Sequence, residues 1–361
     1  MSGADFNFSG RLANLYDKLH AEEVDALLVT KPANVTYISG FHGDSTALLI
    51  GRNFRRLVTD GRYIEQARRE VKNFALVEQT EGLYKKLVDE IKSAGCRKVG
   101  VEGLFMTVAQ HNYLAKELAG VEFKPVELDT LRQVKDAAEV AQIRRACRIA
   151  DDAFEKILEF IRPNMRELDV AAELEYLMRR FGSEGAAFTT IVASGERGSL
   201  PHGSASDKKI SAGELVTMDF GATWGGYCSD ITRTICVGKA SAEQRKIYNA
   251  VLDAQAYGLE IITAGKSGVD CDAAVRDRLT TAGYGKFFVH GLGHGVGLEI
   301  HEEPRLSKLS KCEHLLPNMI VTDEPGIYIE NFCGVRIEDT VLVTGGEAQP
   351  LTQSPKNLIE L

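Results

Sequence analysis

Acidic residues stand in this chain where β-structure disfavours them. The stretch LVTMDFGATWGGYCSDITRT, Leu215 to Thr234, has two strand-like runs around a turn at Trp224, Gly225 and Gly226, the pattern of a β-hairpin. Asp219 and Asp230 lie on its two arms. Pairing puts them directly opposite or on the diagonal, about 4.5–8 Å apart on one face. Asp is a poor strand residue, and like charges across a hairpin repel, so two of them between apolar neighbours call for a cation. Glu324 ends another apolar run, immediately before Pro325-Gly326. In Val335–Val343, alternation sets Val335, Ile337, Val341 and Val343 on one face and Arg336, Glu338 and Thr340 on the other. That second face is either a surface ladder or the wall of a site. The four carboxylates balance two dications. Oxygen donors with an imidazole suit Mn, Co or Fe better than a thiolate zinc site. Two such ions about 3.5–4 Å apart activate water and polarise a carbonyl.

The imidazoles come from HGLGHGVGLEIHEEP, His290 to Pro304. A zinc-binding HExxH helix is excluded, because Glu303-Pro304-Arg305 follows His301-Glu302, without a second His and with Pro where the helix would continue. Gly291, Gly293, Gly295 and Gly297 make a helix through His290 and His294 costly. Extended or looping backbone is expected, so the three histidines need not meet at one ion. A dinucleotide loop also fails, since Val296 stands where a third Gly is needed. A further histidine, His202, lies in the turn-like Leu200-Pro201-His202-Gly203.

Residues so far apart in sequence need a β-rich scaffold. After about residue 186, β-branched runs alternate with Gly, Pro and Asp/Asn turns, interrupted by a helical segment over 243–282. A helix from Asp136 carries Val140, Ile143, Ala146, Ile149, Ala150, Phe154 and Ile157 at helical spacing and opens this second half; another is expected over 167–181. Residues 1 to about 125 alternate helix and strand: a helix from Arg11 to Ala21, a strand over Val24–Thr30, a β-rich run in NVTYIS, then RRLVTD and RKVGV. With 361 residues and a net charge of −8, the chain has room for two domains and no basic surface for nucleic acid. Neither a signal peptide nor 18 consecutive apolar residues is present, so no membrane is expected. Seven scattered cysteines without a CxxC pair fit reduced, cytoplasmic thiols.

PHG, MDFGATWGGYCSDITRT, GLGHGVGLEIHEEP, TDEPGIY and VRIEDTVLV, in that order, resemble the motifs of the M24 or "pita-bread" metallopeptidases, the aminopeptidase P, prolidase and methionine aminopeptidase group. YISGFHGDS, VTDGRY and LRQVKDAAEVAQIRRAC resemble the extra α/β domain of prolidases and aminopeptidases P. The resemblance implies a creatinase/prolidase-type α/β domain over 1–130 and an α+β pita-bread catalytic domain with an antiparallel sheet over 131–361. It implies that Asp219 and Asp230 bind one metal, that His294 and Glu324 complete a second, and that Asp230 and Glu338 bridge. Glu324 would also act as general base, and His202 and His301 would contact the substrate and stabilise its oxyanion. His290 and Arg336 would line the pocket. Arg305 resembles an arginine that prolidases use near the substrate carboxylate. By position, His42 and Asp44 are candidates to reach into a partner subunit's site. Asp323 replaces a commonly hydrophobic residue, a departure expected to add acidity beside Glu324 without replacing a ligand. The implied activity is hydrolysis of the Xaa-Pro bond, in dipeptides or at peptide N-termini. It would use two divalent ions, Mn first with Co, Fe or Zn as alternatives, in a cytoplasmic homodimer. A non-catalytic pita-bread binding protein and an M24 aminopeptidase without strict Pro preference are the alternatives.

Overall fold

The computed structural model describes residues 6–361, which divide into two compact units, Phe6–Arg132 and Gln133–Leu361. Among these residues no helix is long and apolar enough to cross a membrane. The first unit runs α1 (Phe8–Ala21), β1 (Ala26–Val29), α2 (Pro32–Ser39), β2 (Ala47–Gly51), β3 (Phe54–Asp60) and α3 (Ile64–Glu70). It continues with β4 (Ala75–Gln79), α4 (Leu83–Ala94), β5 (Lys98–Glu102), α5 (Val108–Glu117) and β6 (Glu122–Val126). The strands form one mixed sheet in the order β4-β3-β2-β1-β5-β6, antiparallel across β3-β2-β1 and parallel at both flanks. Its core sets Leu28, Leu49, Val58 and Val99 against Leu87 and Ile91 of α4. NVTYIS, expected as strand, is instead the body of α2. Pro32 pre-sets its first turn, and Gly40 at φ 74° ends it. Asn34 to Ser39 are all buried, which erases the one-sided apolar period that marks a helix in sequence.

The second unit opens with α6 (Ala137–Ile157) and α7 (Glu167–Arg180). A capping box between Asp136 and Glu139 starts α6, whose buried face carries Ile143, Ala146, Ile149, Ala150, Phe154 and Ile157. Then come β7 (Ile191–Ser194), β8 (Glu214–Phe220), β9 (Thr223–Trp224), β10 (Tyr227–Cys228) and β11 (Ile231–Val237). The helical segment over 243–282 is two helices, α8 (Ala242–Ile261) and α9 (Gly268–Thr281). Gly265 at φ 90° lies in the break, and Ser267 caps α9 by accepting from the N–H of Asp270. The unit ends with β12 (Gly293–Gly295), β13 (Glu302–Leu306), β14 (Ile320–Asp323), β15 (Gly326–Ile329), β16 (Cys333–Arg336), β17 (Glu338–Leu342) and β18 (Gln349–Pro350).

Eight of these strands make an antiparallel sheet, β13-β12-β14-β17-β11-β8-β7 with β18 against β17. Alternation sorts its side chains. Met218, Phe220, Ile231 and Ile235 enter a core with Phe154 of α6 and Leu174 of α7. Val321 and Val341 enter a second core with Val251 of α8 and Val275 of α9. Asp219, Asp230 and Glu338, between them in the strand period, line a cavity instead. Glu338 and Asp339 show the sorting within one step: Glu338 faces the cavity, while Asp339 is buried behind the sheet, 2.7 Å from both Arg233 and Lys356.

Candidate metal centre

The hairpin predicted around Trp224 turns at Gly225-Gly226, both at positive φ (58° and 78°), between Trp224 and its partner Tyr227. Beyond it, β8 and β11 pair with Asp219 opposite Thr232. Asp230 therefore lies on the diagonal from Asp219, one of the two placements expected. Glu338 also faces Thr232, from the other neighbour strand β17. Next in the sheet, β14 pairs Thr322 with Thr340 of β17, which brings Glu324, one residue past β14, to the same cavity. His294 is the central residue of β12, which slots between β13 and β14. A Cβ on Gly293 would lie 2.1 Å from the carbonyl oxygen of Thr322, and one on Gly295 2.5 Å from that of Glu303. The glycines flanking His294 are what allow its backbone so close to both neighbours.

Asp230, His294 and Glu338 turn donor atoms toward one another, all within 4.8 Å. His294 Nε2 is 3.5 Å from Asp230 Oδ2 and 3.4 Å from Glu324 Oε1. Its Nδ1 is 3.0 Å from the Gly295 carbonyl, which keeps the proton on Nδ1 and leaves the Nε2 lone pair facing the carboxylates. Burial lowers the His294 pKa to about 3, so the ring is neutral. Burial and the surrounding carboxylates push Asp230 and Glu338 well above the usual carboxylate range. Burial also raises Glu324 to about 7, with Arg336 opposing and Asp219 adding to the shift. Asp219 Oδ2 accepts from Arg336 at 2.6 Å, while its buried Oδ1 has no hydrogen-bond partner among the described residues. Crowded carboxylates pressed toward protonation, an orphaned carboxylate oxygen and an imidazole lone pair form a donor set that fits divalent cations.

The cavity, about 730 Å³, is lined also by His202, His290, His301, Arg305 and Arg336, with Phe188, Ile191 and Ile300 as its apolar part. The three histidines of the glycine-rich stretch have different surroundings. His301, exposed, stacks edge-on to His294 with ring centroids 4.4 Å apart; partial burial and the Arg305 charge lower its pKa. His290 is held at both nitrogens, Nδ1 2.8 Å from the Gly291 carbonyl and Nε2 2.9 Å from the Tyr328 hydroxyl. Burial lowers its pKa to about 4, so Tyr328 donates to a neutral ring. Tyr328 in turn accepts from Arg336 at 2.6 Å, and Arg336 reaches Asp219. His42 belongs to the first unit, exposed between α2 and β2, with Asp44 likewise exposed. Asp323 turns away from the cavity. Its carboxylate lies against α8, where a Cβ on Gly258 would sit 2.2 Å from Oδ1; both oxygens lack a hydrogen-bond partner among the described residues, and burial raises its pKa well above the ordinary value. Whatever acidity this departure adds lies behind the strand, not in the cavity.

Three supporting residues were not singled out in the sequence. Thr232 donates to Glu338 Oε2 at 2.5 Å. Thr322 donates to Glu324 Oε1 and accepts from the His294 N–H, each at 3.0 Å. Tyr328 links His290 to Arg336. Both threonines carried a signal, since each stands two residues from a candidate ligand and therefore on its strand face. Tyr328 lies beyond the Pro325-Gly326 break, where no strand period extends.

Residues 141–345 match the model of metallopeptidase family M24, and residues 11–134 match that of the creatinase/prolidase N-terminal domain. The Xaa-Pro dipeptidase of Pyrococcus furiosus is 41% identical over 356 residues, 97% of this chain and 99% of that protein. The Xaa-Pro dipeptidase structure from Bacillus anthracis superposes with a TM-score of 0.95 at 41% identity, covering 98% of this chain and 100% of that one. The X-Pro aminopeptidase structure from Thermotoga maritima gives 0.89 at 36% identity, covering 96% and 100%.

Proposed function

The chain belongs to metallopeptidase family M24, and from that premise we propose that it hydrolyses Xaa-Pro bonds, in dipeptides or at the N-terminus of peptides, with two divalent ions. The convergence of Asp219, Asp230, His294, Glu324 and Glu338 from separate strands on one cavity carries this reading. Asp219 and Asp230 would hold one ion, His294 and Glu324 the other, with Asp230 and Glu338 shared. When bound, the ions supply Lewis acidity toward water and toward the scissile carbonyl.

The chain's own groups do the rest. Glu324 takes the proton of the attacking water, while Thr322 engages its Oε1 and holds the carboxylate in place. His202 and His301 offer N–H groups to the developing oxyanion. The Arg336–Tyr328–His290 chain fixes Asp219 and the adjoining wall. Proline at the second position leaves the scissile nitrogen without an N–H, so recognition falls to apolar packing and to metal chemistry, and Phe188, Ile191 and Ile300 supply apolar surface. Arg305 would pair with a free substrate carboxylate. Mn as resident metal, a homodimer whose partner receives His42, and a cytoplasmic setting belong to the same proposal.

The test compares a Xaa-Pro dipeptide with a Xaa-Pro-Xaa tripeptide, in Mn and in Co. Cleavage of neither refutes the reading, and cleavage of the tripeptide alone removes the dipeptidase half. Arg305→Ala should depress dipeptide hydrolysis more than tripeptide hydrolysis; equal losses take Arg305 out of carboxylate recognition.

A further inference from the structure

His202 reaches the cavity on a loop, not on a strand, and something must hold that loop. It leaves β7 at Ser194, passes through a short 3-10 turn at Gly195–Ser199, presents Pro201 and His202, and returns at Ser206. Its inner side meets the rest of the site through Ser204, which bridges to Ile191, and at two further places. The Pro201 carbonyl accepts from Arg336 at 3.3 Å, and Gly198 lies so close to β16 that a Cβ on Gly334 would be 1.7 Å from its carbonyl oxygen.

Its outer side is tied to one buried carboxylate. Glu167, the first residue of α7, is fully buried. Its Oε1 accepts from the Ser194 N–H and hydroxyl, both at 2.8 Å. Its Oε2 accepts from the Ser206 N–H at 3.2 Å, the Ser206 hydroxyl at 2.7 Å and the Arg197 guanidinium. All five donors belong to the Ser194–Ser206 loop: both of its ends and one residue of its turn. Arg197 also crosses the loop to donate to the Ser204 carbonyl at 2.8 Å. A carboxylate buried without such donors is strongly disfavoured, so Glu167 and the loop geometry specify each other.

We propose that Glu167, with Arg197, is a positioning residue for His202: the pair clamps the loop from behind while Arg336 holds it from the cavity. Glu167 itself touches neither cavity nor substrate. The proposal rests on the Xaa-Pro peptidase reading only where it predicts rates. The clamp itself is read by amide exchange.

The experiment uses the metal-loaded full chain and four variants: Glu167→Gln, Arg197→Ala, His202→Ala and Glu167→Gln/His202→Ala. Glu167→Gln turns donors toward donors, and should speed amide exchange across residues 195–205 about tenfold or more. β8 and β11 should keep wild-type exchange. With a Xaa-Pro dipeptide, kcat should fall about 10- to 100-fold, as expected when a catalytic group loses its position. KM should change little. The double variant should lose no more than His202→Ala alone, because the clamp acts through that ring. Arg197→Ala should reproduce the exchange and rate effects in weaker form, and it decides the matter if Glu167→Gln does not fold. Unchanged loop exchange overturns the clamp; losses that multiply in the double variant overturn its action through His202. If the wild-type protein cleaves no Xaa-Pro substrate, the functional reading falls, while the exchange result still decides the clamp.

Discussion

Thr322→Val is the sharpest probe of how the donor set is held. Val matches the shape of Thr but removes a buried hydroxyl that serves both sides of the site, donating to Glu324 Oε1 and accepting from the His294 N–H, each at 3.0 Å. A hydrogen bond to a charged partner is worth about 1.5–3 kcal/mol, and the stranded His294 N–H costs about 1–3 kcal/mol more. Both losses fall on proposed ligands. The stranded N–H is common to the metal-free and metal-bound forms and so costs folding stability; metal affinity should drop about 10- to 100-fold, the usual cost of losing an orienting partner behind a ligand. Isothermal titration of Mn into metal-free protein measures this directly. Glu324 also loses a contact that lowers its pKa, so the deficit should widen as pH falls and protons compete for the carboxylate. Thr322→Ser, which keeps the hydroxyl, should titrate close to wild type. A Thr322→Val isotherm that superposes on wild type would refute the argument that this hydroxyl orients the ligands.

Chelator treatment should lower the melting temperature, because the proposed ions would no longer neutralise Asp230, Glu324 and Glu338 against one another; calorimetry showing the same midpoint with and without metal counts against the cluster. Arg233→Met should cost about 1–3 kcal/mol in denaturant unfolding, since buried Asp339 loses its guanidinium partner but keeps Lys356; no measurable loss would contradict it. Asp129 lies in the first unit. Burial opposes its ionisation, but Lys31 and Asn34 outweigh it and hold its pKa below the usual value. A depressed folded-state pKa adds stability above the unfolded value of 3.8 and loses it as pH falls through the folded value. Asp129→Asn should thus destabilise at pH 7 by about 1 kcal/mol or less, the pair being partly exposed, with the deficit closing toward pH 3. A deficit that grows on acidification would reverse the sign of the argument.

What could be read from the sequence follows the physics of each element. Alternation named the polar face of Arg336 and Glu338 because strand geometry has a two-residue period, and a hairpin turn of two glycines left only two placements for Asp219 and Asp230. The same rule would have found Thr232 and Thr322. The glycines around His294 argued against a helix, and the short strand β12 answers that. Helix α2 reads as strand because its β-branched residues are buried all round, leaving no amphipathic stripe. The break between α8 and α9 is legible in Gly265, Ser267 and Gly268, three turn-forming residues within four positions, which a single helical segment over 243–282 passes over. The direction of Asp323 escaped the reading for a different reason: sequence shows that two adjacent strand residues face opposite ways, but not which neighbour, here Gly258, receives the outward one. Glu167 was invisible as a clamp because its partners lie 27 to 39 residues away in a loop without period.

Glu338 and Asp339 face opposite sides of one strand, one toward the cavity and the other into the Arg233 and Lys356 network. The segment from Arg336 to Thr340 therefore has a parity. Deleting or inserting one residue there would exchange the two carboxylates, sending Asp339 to the cavity and leaving Arg233 to face a longer side chain. A change of two residues would keep both faces in phase. Among length variants of this strand, those that change it by an even number should retain metal binding more often than those that change it by an odd number.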